Sequence, residues 1–329
     1  MCLQLIGLHN MKNFKFVLKC IAALLPVIAV VLYTALFPFG YMDIEYPSWK
    51  YTKEMTEKAS ADTIILGDSR AMADLVPKEF DFKTINLAVG GATSMEMYYT
   101  LSSYIKNNGC PENIIVMFAP FHYSIIDNFW TRTAYFNYLS VSDMSELFSY
   151  AKACNSETLI KKGYKDDLLS YRLRFPDKYL PALINSELIG RYSENSEEYN
   201  KISADSGYGE FGTAKGCSDL NYETGYEQMH RTGDALLLDV YLNKLLCLIE
   251  ENNINAVLAI PPMNESSYNN LKPSYKDDFY SYLKNIKSSH PGISVETKIP
   301  VYDDKYFGDS SHLNNEGALL FTKDYIENH

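Results

Sequence analysis

Residues 63–70 read Thr-Ile-Ile-Leu-Gly-Asp-Ser-Arg, a short apolar run that ends abruptly in a glycine, an aspartate and a serine. The β-branched run predicts a buried strand, and the segment from Ala71 predicts a helix. Gly67 permits a sharp turn between the two. The hydroxyl of Ser69 is therefore expected at the corner, beside helix N–H groups that could stabilise an oxyanion. Such a corner suits a nucleophile, and the competing interpretation is a simple helix cap at Asp68 or Ser69.

A matching acid–base pair lies near the other end of the chain, where residues 309–314 read Asp-Ser-Ser-His-Leu-Asn. Asp309 precedes His312 by three residues, so one turn can bring both side chains to the same side. The carboxylate then accepts from one imidazole nitrogen and leaves the other free to take a proton from a serine. The alternative is a surface or capping histidine at the start of a helix. The presence of Ser69 favours a catalytic triad.

Strands and helices alternate along most of the chain, which predicts an α/β fold with a parallel sheet covered on both faces. The predicted strands are 63–66, 84–87, 113–118, 255–260 and a short one around Val295, and the predicted helices are 94–107, 234–251, 274–288 and 315–326. Between 120 and 232 the alternation breaks over a length too great for a plain loop. We expect an insertion there, with helices such as 142–153, acting as a lid or substrate platform within a domain covering 61–329.

Several of these segments are expected to meet at one edge of the sheet. Ligand sites in parallel sheets gather at the carboxyl ends of the strands. Ser69, the glycine pair 90–91 and the segment 261–264 all follow predicted strands, and the loop 309–312 can reach the same rim. Paired glycines also allow a backbone N–H to face a ligand closely. One site at this rim is the prediction.

The N-terminal region predicts a membrane anchor. Residues 20–39 form an uncharged run of 20 residues, long enough to cross a bilayer. Lysines precede the run and acidic residues follow it, so the positive-inside rule places the N-terminus in the cytoplasm and the domain outside. A cleaved signal peptide is the competing interpretation, but the run is long and no clear Ala-x-Ala site follows. We expect a tail and anchor at 1–40 and a partly helical linker at 41–60.

Composition excludes some classes of partner. The net charge of −11 argues against nucleic acid and against peripheral binding to acidic lipids. No Gly-rich phosphate loop is present, and we expect no cofactor. The cysteine spacings match no zinc motif, although a disulfide between Cys154 and Cys217 stays open beside reduced, buried thiols. A metal site that adds Asp68 and His122 to the pair near the C-terminus is a weaker alternative, and no metal is expected.

These motifs resemble the blocks of the SGNH (GDSL) hydrolase superfamily, over about residues 60–120 and 233–329. Gly67-Asp68-Ser69 resembles the first block, the segment 86–93 (Asn-Leu-Ala-Val-Gly-Gly-Ala-Thr) the second, and 309–312 the last. The resemblance implies a three-layer, flavodoxin-like fold. It also implies that Ser69 is the nucleophile and an oxyanion donor, Gly91 a second donor, His312 the base and Asp309 the residue that orients it.

The third block departs from the family pattern. Members usually carry Gly-x-Asn-Asp after the third strand, with the asparagine as an oxyanion donor. Residues 118–123 here read Phe-Ala-Pro-Phe-His-Tyr. His122 and Tyr123 are the candidates to replace that donor, and the alternative for each is a packed aromatic. At the same rim, Arg70 and Asn264 are expected to bind substrate.

The missing third block, the N-terminal anchor and the motif His-Leu-Asn-x-x-Gly-Ala at 312–318 are similar to the cell-surface branch of the superfamily. Members of that branch work beside membrane-bound O-acyltransferases. The resemblance implies an anchored serine esterase or O-acyltransferase that acts on acetyl or similar groups of a cell-surface polysaccharide or teichoic acid. The alternative is a catalytically degraded module that binds a glycan or docks an acyltransferase.

Overall fold

The computed structural model describes residues 2–37, 43–185, 190–210, 229 and 232–329, with side chains from residue 14 onward. The first helix, α1 (Cys2–Leu36), contains the segment Phe14–Leu36, whose best window has a mean hydropathy of 2.5 and no buried residue. This one helix is long and apolar enough to span a membrane. The last residues of the predicted uncharged run, 38 and 39, lie outside the described residues.

The helices and strands alternate as the sequence predicts. The strands are β1 (Thr63–Gly67), β2 (Thr84–Asn86), β3 (Asn113–Met117), β4 (Asn255–Ala259), β5 (Met263–Asn264), β6 (Ile293–Val295) and β7 (Val301–Tyr302). The helices after α1 are α2 (Tyr46–Lys58), α3 (Ser69–Asp74), α4 (Ser94–Asn108), α5 (Val141–Cys154), α6 (Tyr164–Arg172), α7 (Tyr179–Asn185), α8 (Tyr192–Ala204), α9 (Asp234–Glu251), α10 (Glu265–Asn270), α11 (Pro273–Ser289) and α12 (Asn315–Asn328).

Five strands form the central sheet in the order β2-β1-β3-β4-β6, and every pairing in it is parallel. Counted along the chain this is the order 2-1-3-4-5, compatible with a three-layer, doubly wound sheet of the flavodoxin type. The predicted α/β class with a parallel sheet is confirmed. The chain reverses direction across the sheet between β1 and β3, which leaves a crevice at their carboxyl ends.

Alternating strand residues feed two cores, one on each face of the sheet. Ile64 and Val116 point to the core shared with α4, α9 and α11. Ile65 and Met117 point to the opposite core, shared with α3 and α12. Because both faces are covered by helices, the central strands are apolar throughout.

The segment expected to be a linker is packed onto the domain where the structure describes it. Helix α2 occupies most of it, and its Trp49 is 1 % exposed in the main core. Tyr51, on the neighbouring side of the helix, joins the second core. Burial of these two aromatic side chains therefore packs α2 against the sheet domain.

The long stretch between β3 and α9 is largely helical in its described parts. It holds a 3-10 helix (Pro120–Tyr123), a π-helix (Phe129–Ala134) and the helices α5 to α8. Helix α5 covers the predicted helix 142–153 and packs on α9 in a third apolar cluster. Cys154 at its end is buried with a free thiol, and its suggested disulfide partner Cys217 lies outside the described residues.

Candidate active site

The turn after β1 places Ser69 at the rim of the sheet. A Cβ on Gly67 would lie 1.9 Å from the carbonyl oxygen of Met117, so only glycine allows β1 to pass this close to β3. Asp68 then caps α3, because its Oδ1 accepts from the backbone N–H of Arg70 at 2.9 Å. Ser69 is the first residue of α3, with its hydroxyl at the corner.

The C-terminal loop is a closed turn that carries Asp309 and His312. Phe307 and Leu313 form an antiparallel bridge, and both side chains are buried. Between them, the N–H of Gly308 donates to the carbonyl of His312 at 3.0 Å. The backbone N–H of Leu313 donates to Oδ1 of the buried Asp74 on α3 at 3.1 Å. The same short helix therefore presents Ser69 and holds the loop.

Ser69, His312 and Asp309 form one continuous chain of hydrogen bonds. His312 Nε2 lies 2.8 Å from Ser69 Oγ. On the other side of the ring, Nδ1 lies 2.9 Å from Oδ2 and 3.1 Å from Oδ1 of Asp309. The three residues predicted to form a triad are thus brought together at hydrogen-bonding distances.

The carboxylate of Asp309 is held ionised. Its Oδ1 accepts from the backbone N–H groups of Ser311 and His312, each at 2.7 Å. Burial by itself would raise the pKa of Asp309, but hydrogen bonds and the attraction of His312 lower it to about 2. A charged carboxylate at this position fixes the ring orientation and stabilises an imidazolium.

Arg70 and Asn264, which the sequence suggested as substrate contacts, are both buried. Asn264 is 0 % exposed, its Nδ2 donates to the carbonyl of Ser310 at 2.8 Å, and its Oδ1 accepts from the N–H of Ser267 at 2.6 Å. It supports the triad loop from beneath. Arg70 is 2 % exposed beside Asp68 and Asp74. Burial raises the pKa of Asp74 well above its usual value, which the Arg70 charge offsets only in part, whereas at Asp68 His122 and then Arg70 outweigh burial and lower the pKa.

The glycine pair 90–91 borders Ser69. A Cβ on Gly90 would lie 3.9 Å from the Cβ of Ser69. Gly91 has φ +74°, a conformation that glycine adopts without the strain of a side chain. The chain therefore brings Gly90 close to Ser69, with Gly91, the predicted oxyanion donor, as the next residue.

Three polar side chains beside these glycines were not predicted. Asn128 Nδ2 and Arg132 Nη1 each lie 2.7 Å from the point that a Cβ of Gly91 would occupy. Arg132 also pairs with Glu45, with 3.1 Å between Nη2 and Oε1. Burial raises the pKa of Glu45, which the Arg132 guanidinium partly offsets. No sequence signal marks these residues, because they come from the expected linker and from an irregular π-helical segment.

The two aromatic candidates of the third block face the interior. His122 is 4 % exposed, and its Nδ1 lies 2.5 Å from Oδ2 of Asp68. Tyr123 is 3 % exposed and packs against Phe118 and Phe279. Among the atoms nearest to a Cβ on Gly91 is Nδ2 of Asn128.

The His122–Asp68 pair is a buried ion pair beside Ser69. Oδ2 of Asp68 also accepts from the N–H of Ala119 at 2.7 Å. Burial alone would lower the pKa of His122, but the carboxylates of Asp127 and Asp68 raise it to about 9. Asp68 is the nearer of the two, since Asp127 Oδ1 lies 3.6 Å from Nε2. The pair joins the end of β3 to the Ser69 turn.

The residues suggested for a metal do not gather into one ligand set. Asp68 pairs with His122, and Asp309 pairs separately with His312. Among the described residues, the group of ligand atoms close enough to share an ion is Cys247, Glu250 and His290. There His290 Nδ1 contacts Glu250 at 2.9 Å.

Comparison with known proteins assigns no family to this fold and site. No protein-family model matches the chain, and no curated protein sequence matches it. The functional argument therefore depends on the geometry of the residues themselves.

Proposed function

We propose that this chain is a membrane-anchored serine esterase or O-acyltransferase of the SGNH type. The observation that carries the proposal is the unbroken hydrogen-bond chain from Ser69 Oγ through His312 to Asp309. A serine, an imidazole and an ionised carboxylate in this order are the working parts of nucleophilic acyl transfer.

In the first half-reaction, Ser69 Oγ attacks the carbonyl carbon of an acyl ester while His312 Nε2 takes the hydroxyl proton. The carbonyl oxygen becomes an oxyanion. His312 then gives the proton to the departing alcohol oxygen as the ester bond breaks. An acyl group stays on Ser69, and Asp309 stabilises the imidazolium throughout.

In the second half-reaction, a hydroxyl group attacks the acyl-Ser69 ester and its proton passes to His312. Expulsion of Ser69 Oγ, which recovers the proton, completes the cycle. Water as the attacking group gives hydrolysis, and a sugar or polyol hydroxyl gives transfer. The same residues serve both outcomes.

The oxyanion would lie between the backbone N–H groups of Ser69 and Gly91 and the side-chain amide of Asn128. Asn128 supplies a neutral donor where the third block lacks its asparagine. Its support is the close approach of Nδ2 to the Gly91 turn. Donors aimed at a developing oxyanion often contribute the largest part of such catalysis.

The substrate we propose is an acyl group on a cell-surface polysaccharide or teichoic acid, with a membrane-bound O-acyltransferase as the partner. Helix α1 supports the anchor, and the lysines before the uncharged run 20–39 support a cytoplasmic N-terminus. The motif resemblance described above supports the class of substrate and partner.

The test is covalent labelling of the full-length protein by a fluorophosphonate, together with turnover of a short-chain aryl ester. We expect Ser69→Ala to abolish both, and Ser288→Ala, an exposed serine on α11, to change neither. Equal labelling of wild type and Ser69→Ala would remove the proposal. If wild type shows saturable glycan binding but forms no acyl-enzyme by intact mass, the alternative of a degraded binding module replaces it.

A further inference from the structure

The C-terminal end of α1 is bound by the sheet domain. The side chain of Arg174 is 0 % exposed, and its Nη1 donates to the carbonyls of Thr34 and Ala35 at 2.5 and 3.2 Å. Asn137 Nδ2 donates to the carbonyls of Ala35 and Leu36 at 3.0 and 2.9 Å. The last carbonyls of a helix have no hydrogen-bond donor within the helix. Here Arg174 and Asn137 of the sheet domain are the donors.

Arg174 lies between α6 and α7, so these two helices lie at the level where α1 ends. Helix α6 also packs directly against α1. The guanidinium of Arg174 contacts the end of α1 through Nη1. Its Nε donates to the carbonyl of Tyr135 at 2.7 Å. These hydrogen bonds hold the segment that joins α6 to α7 against the end of α1.

Both short helices expose apolar side chains at helical spacing. Leu169 and Leu173, at α6, are 57 % and 36 % exposed, and Leu180 and Ile184 of α7 are 44 % and 59 % exposed. Residues four apart lie on the same side of a helix. We call these four side chains the α6–α7 face.

The charge of this region differs from that of the chain. Residues 160–185 hold six basic and three acidic residues, although the whole chain carries −11. Lys161, Lys162 and Lys165 at the start of α6 are exposed. Exposed leucines beside lysines are typical of helices that lie in a membrane interface.

We propose that the α6–α7 face lies in the headgroup and upper acyl region of the leaflet from which α1 emerges. The proposal rests on the proposed anchoring by α1. Lipid is the favoured occupant because the face is continuous with the end of the membrane span and carries the basic charge that anionic headgroups attract. A partner protein could bind the domain at any height, whereas lipid is necessarily present at the level where a membrane-spanning α1 ends.

The consequence for the active site is proximity to the membrane. Glu45, which contacts the site, follows Leu36 by nine residues, so it lies within about 32 Å of the end of α1 even with an extended chain. Tyr171 of α6 also stacks on Trp130 of the π-helix that bears Arg132. Ser69 would therefore act on acyl groups presented near the bilayer surface.

The test uses tryptophan fluorescence of the full-length protein in vesicles of phosphatidylcholine and phosphatidylglycerol with brominated acyl chains, which quench on contact. Single variants Leu180→Trp and Ile184→Trp report on the face. Tyr33→Trp reports on α1 insertion, and Phe82→Trp, exposed beside the start of β2, is the negative control. The two native tryptophans are buried and provide a constant background.

We expect the added fluorescence of Leu180→Trp and Ile184→Trp to be quenched, as for Tyr33→Trp, and that of Phe82→Trp to be unaffected. Quenching of Tyr33→Trp without quenching at 180 and 184 would overturn the proposal while leaving the anchor intact. If residues 180 and 184 are shielded from solvent in native membranes but not in vesicles, the face contacts a protein partner. That result would also overturn the proposal. Fluorophosphonate labelling of the same samples reports on Ser69 separately.

Discussion

The imidazole Nδ1 of His122 lies 2.5 Å from Oδ2 of Asp68, the residue immediately before Ser69. Both side chains are almost fully buried, with 4 % and 0 % of their surface exposed. The pair links the carboxyl ends of β1 and β3 through charge as well as backbone pairing. Because Ser69 follows Asp68 directly, this pair also restrains the position of Ser69.

Removing the imidazole should destabilise the fold. His122→Ala leaves the Asp68 carboxylate buried without its counter-ion, and such losses cost about 3–5 kcal/mol. Because His122 has a folded pKa of about 9, above the unfolded value of about 6.5, its contribution is full below pH 6.5. It is lost as the pH rises through about 9. Thermal unfolding of wild type between pH 6 and 10 should show this decline.

The control is the same titration of His122→Gln, which should lack that part of the decline. An unchanged slope in His122→Gln would show that another group is responsible. His290→Gln is a comparison at a second buried histidine outside this pair.

The Asp309 carboxylate should be essential for rate but not for binding. We expect Asp309→Asn to lower kcat of ester turnover by about 10²–10⁴-fold, since an amide no longer favours the productive tautomer of His312. KM should change little. With its pKa near 2, Asp309 stays ionised at all usual assay pH values, so its titration should leave no limb in the pH–rate profile above pH 4. Full activity of Asp309→Asn would contradict the triad.

Substitutions at Asn264 can separate its two roles, which are to support the triad loop and to cap α10. Asn264→Asp keeps an acceptor for the N–H of Ser267 but loses the donor to Ser310 and places a carboxylate against a carbonyl. We expect it to reduce kcat by up to about 10²-fold through displacement of the triad loop. Asn264→Ala should lose helix cap stability as well. A loss of melting temperature without a loss of kcat in Asn264→Asp would contradict the loop role.

Asn128 is expected to act on the transition state. Asn128→Ala should lower kcat by about 10²-fold, because one donor to the oxyanion is removed, while KM stays close to that of wild type. The matched control is Asn328→Ala, an exposed asparagine at the end of α12. Equal kcat values for Asn128→Ala and wild type would show that Asn128 is not the third oxyanion donor.

Asp74 is expected to be a neutral acid. Burial raises its pKa well above the usual value, and its Oδ2 finds no hydrogen-bond partner among the described residues. The folded chain therefore holds a proton that the unfolded chain releases above about pH 4, and stability falls as the pH rises from there toward the folded pKa. Asp74→Asn should remove this fall and melt higher than wild type at pH 8, with a smaller difference at pH 5. A difference in melting temperature between Asp74→Asn and wild type that does not change with pH would contradict a neutral Asp74.

Periodicity and turn residues were sufficient to predict the regular part of the fold. The apolar run at 63–66, the paired glycines and the helical spacing of 234–251 appear in the structure as β1, the site turn and α9. These signals are local, because each depends on residues adjacent in sequence. The position of Ser69 at the rim also follows, since parallel strands bring their carboxyl ends to one edge. His312 follows no strand of the central sheet, and its place beside Ser69 was expected from the pairing of the two motifs.

Long-range polar partners were not predictable in the same way. Asn264 follows a strand at the rim, but its burial depends on contact with Ser310, 46 residues away. Glu45 and Arg132 reach the site from segments with no periodic signal, and their pairing is defined only in three dimensions. The packing of Trp49 was missed because a charged, Pro-containing segment resembles a linker in composition.

Arg174 and Asn137 bind the final carbonyls of α1 directly, so these hydrogen bonds oppose rotation of α1 against the sheet domain. With α1 in a bilayer, the height and tilt of the Ser69 crevice become fixed quantities. If the proposed acyl transfer is correct, Ser69 would reach only those acceptor groups of a long polymer that lie at one distance from the membrane surface.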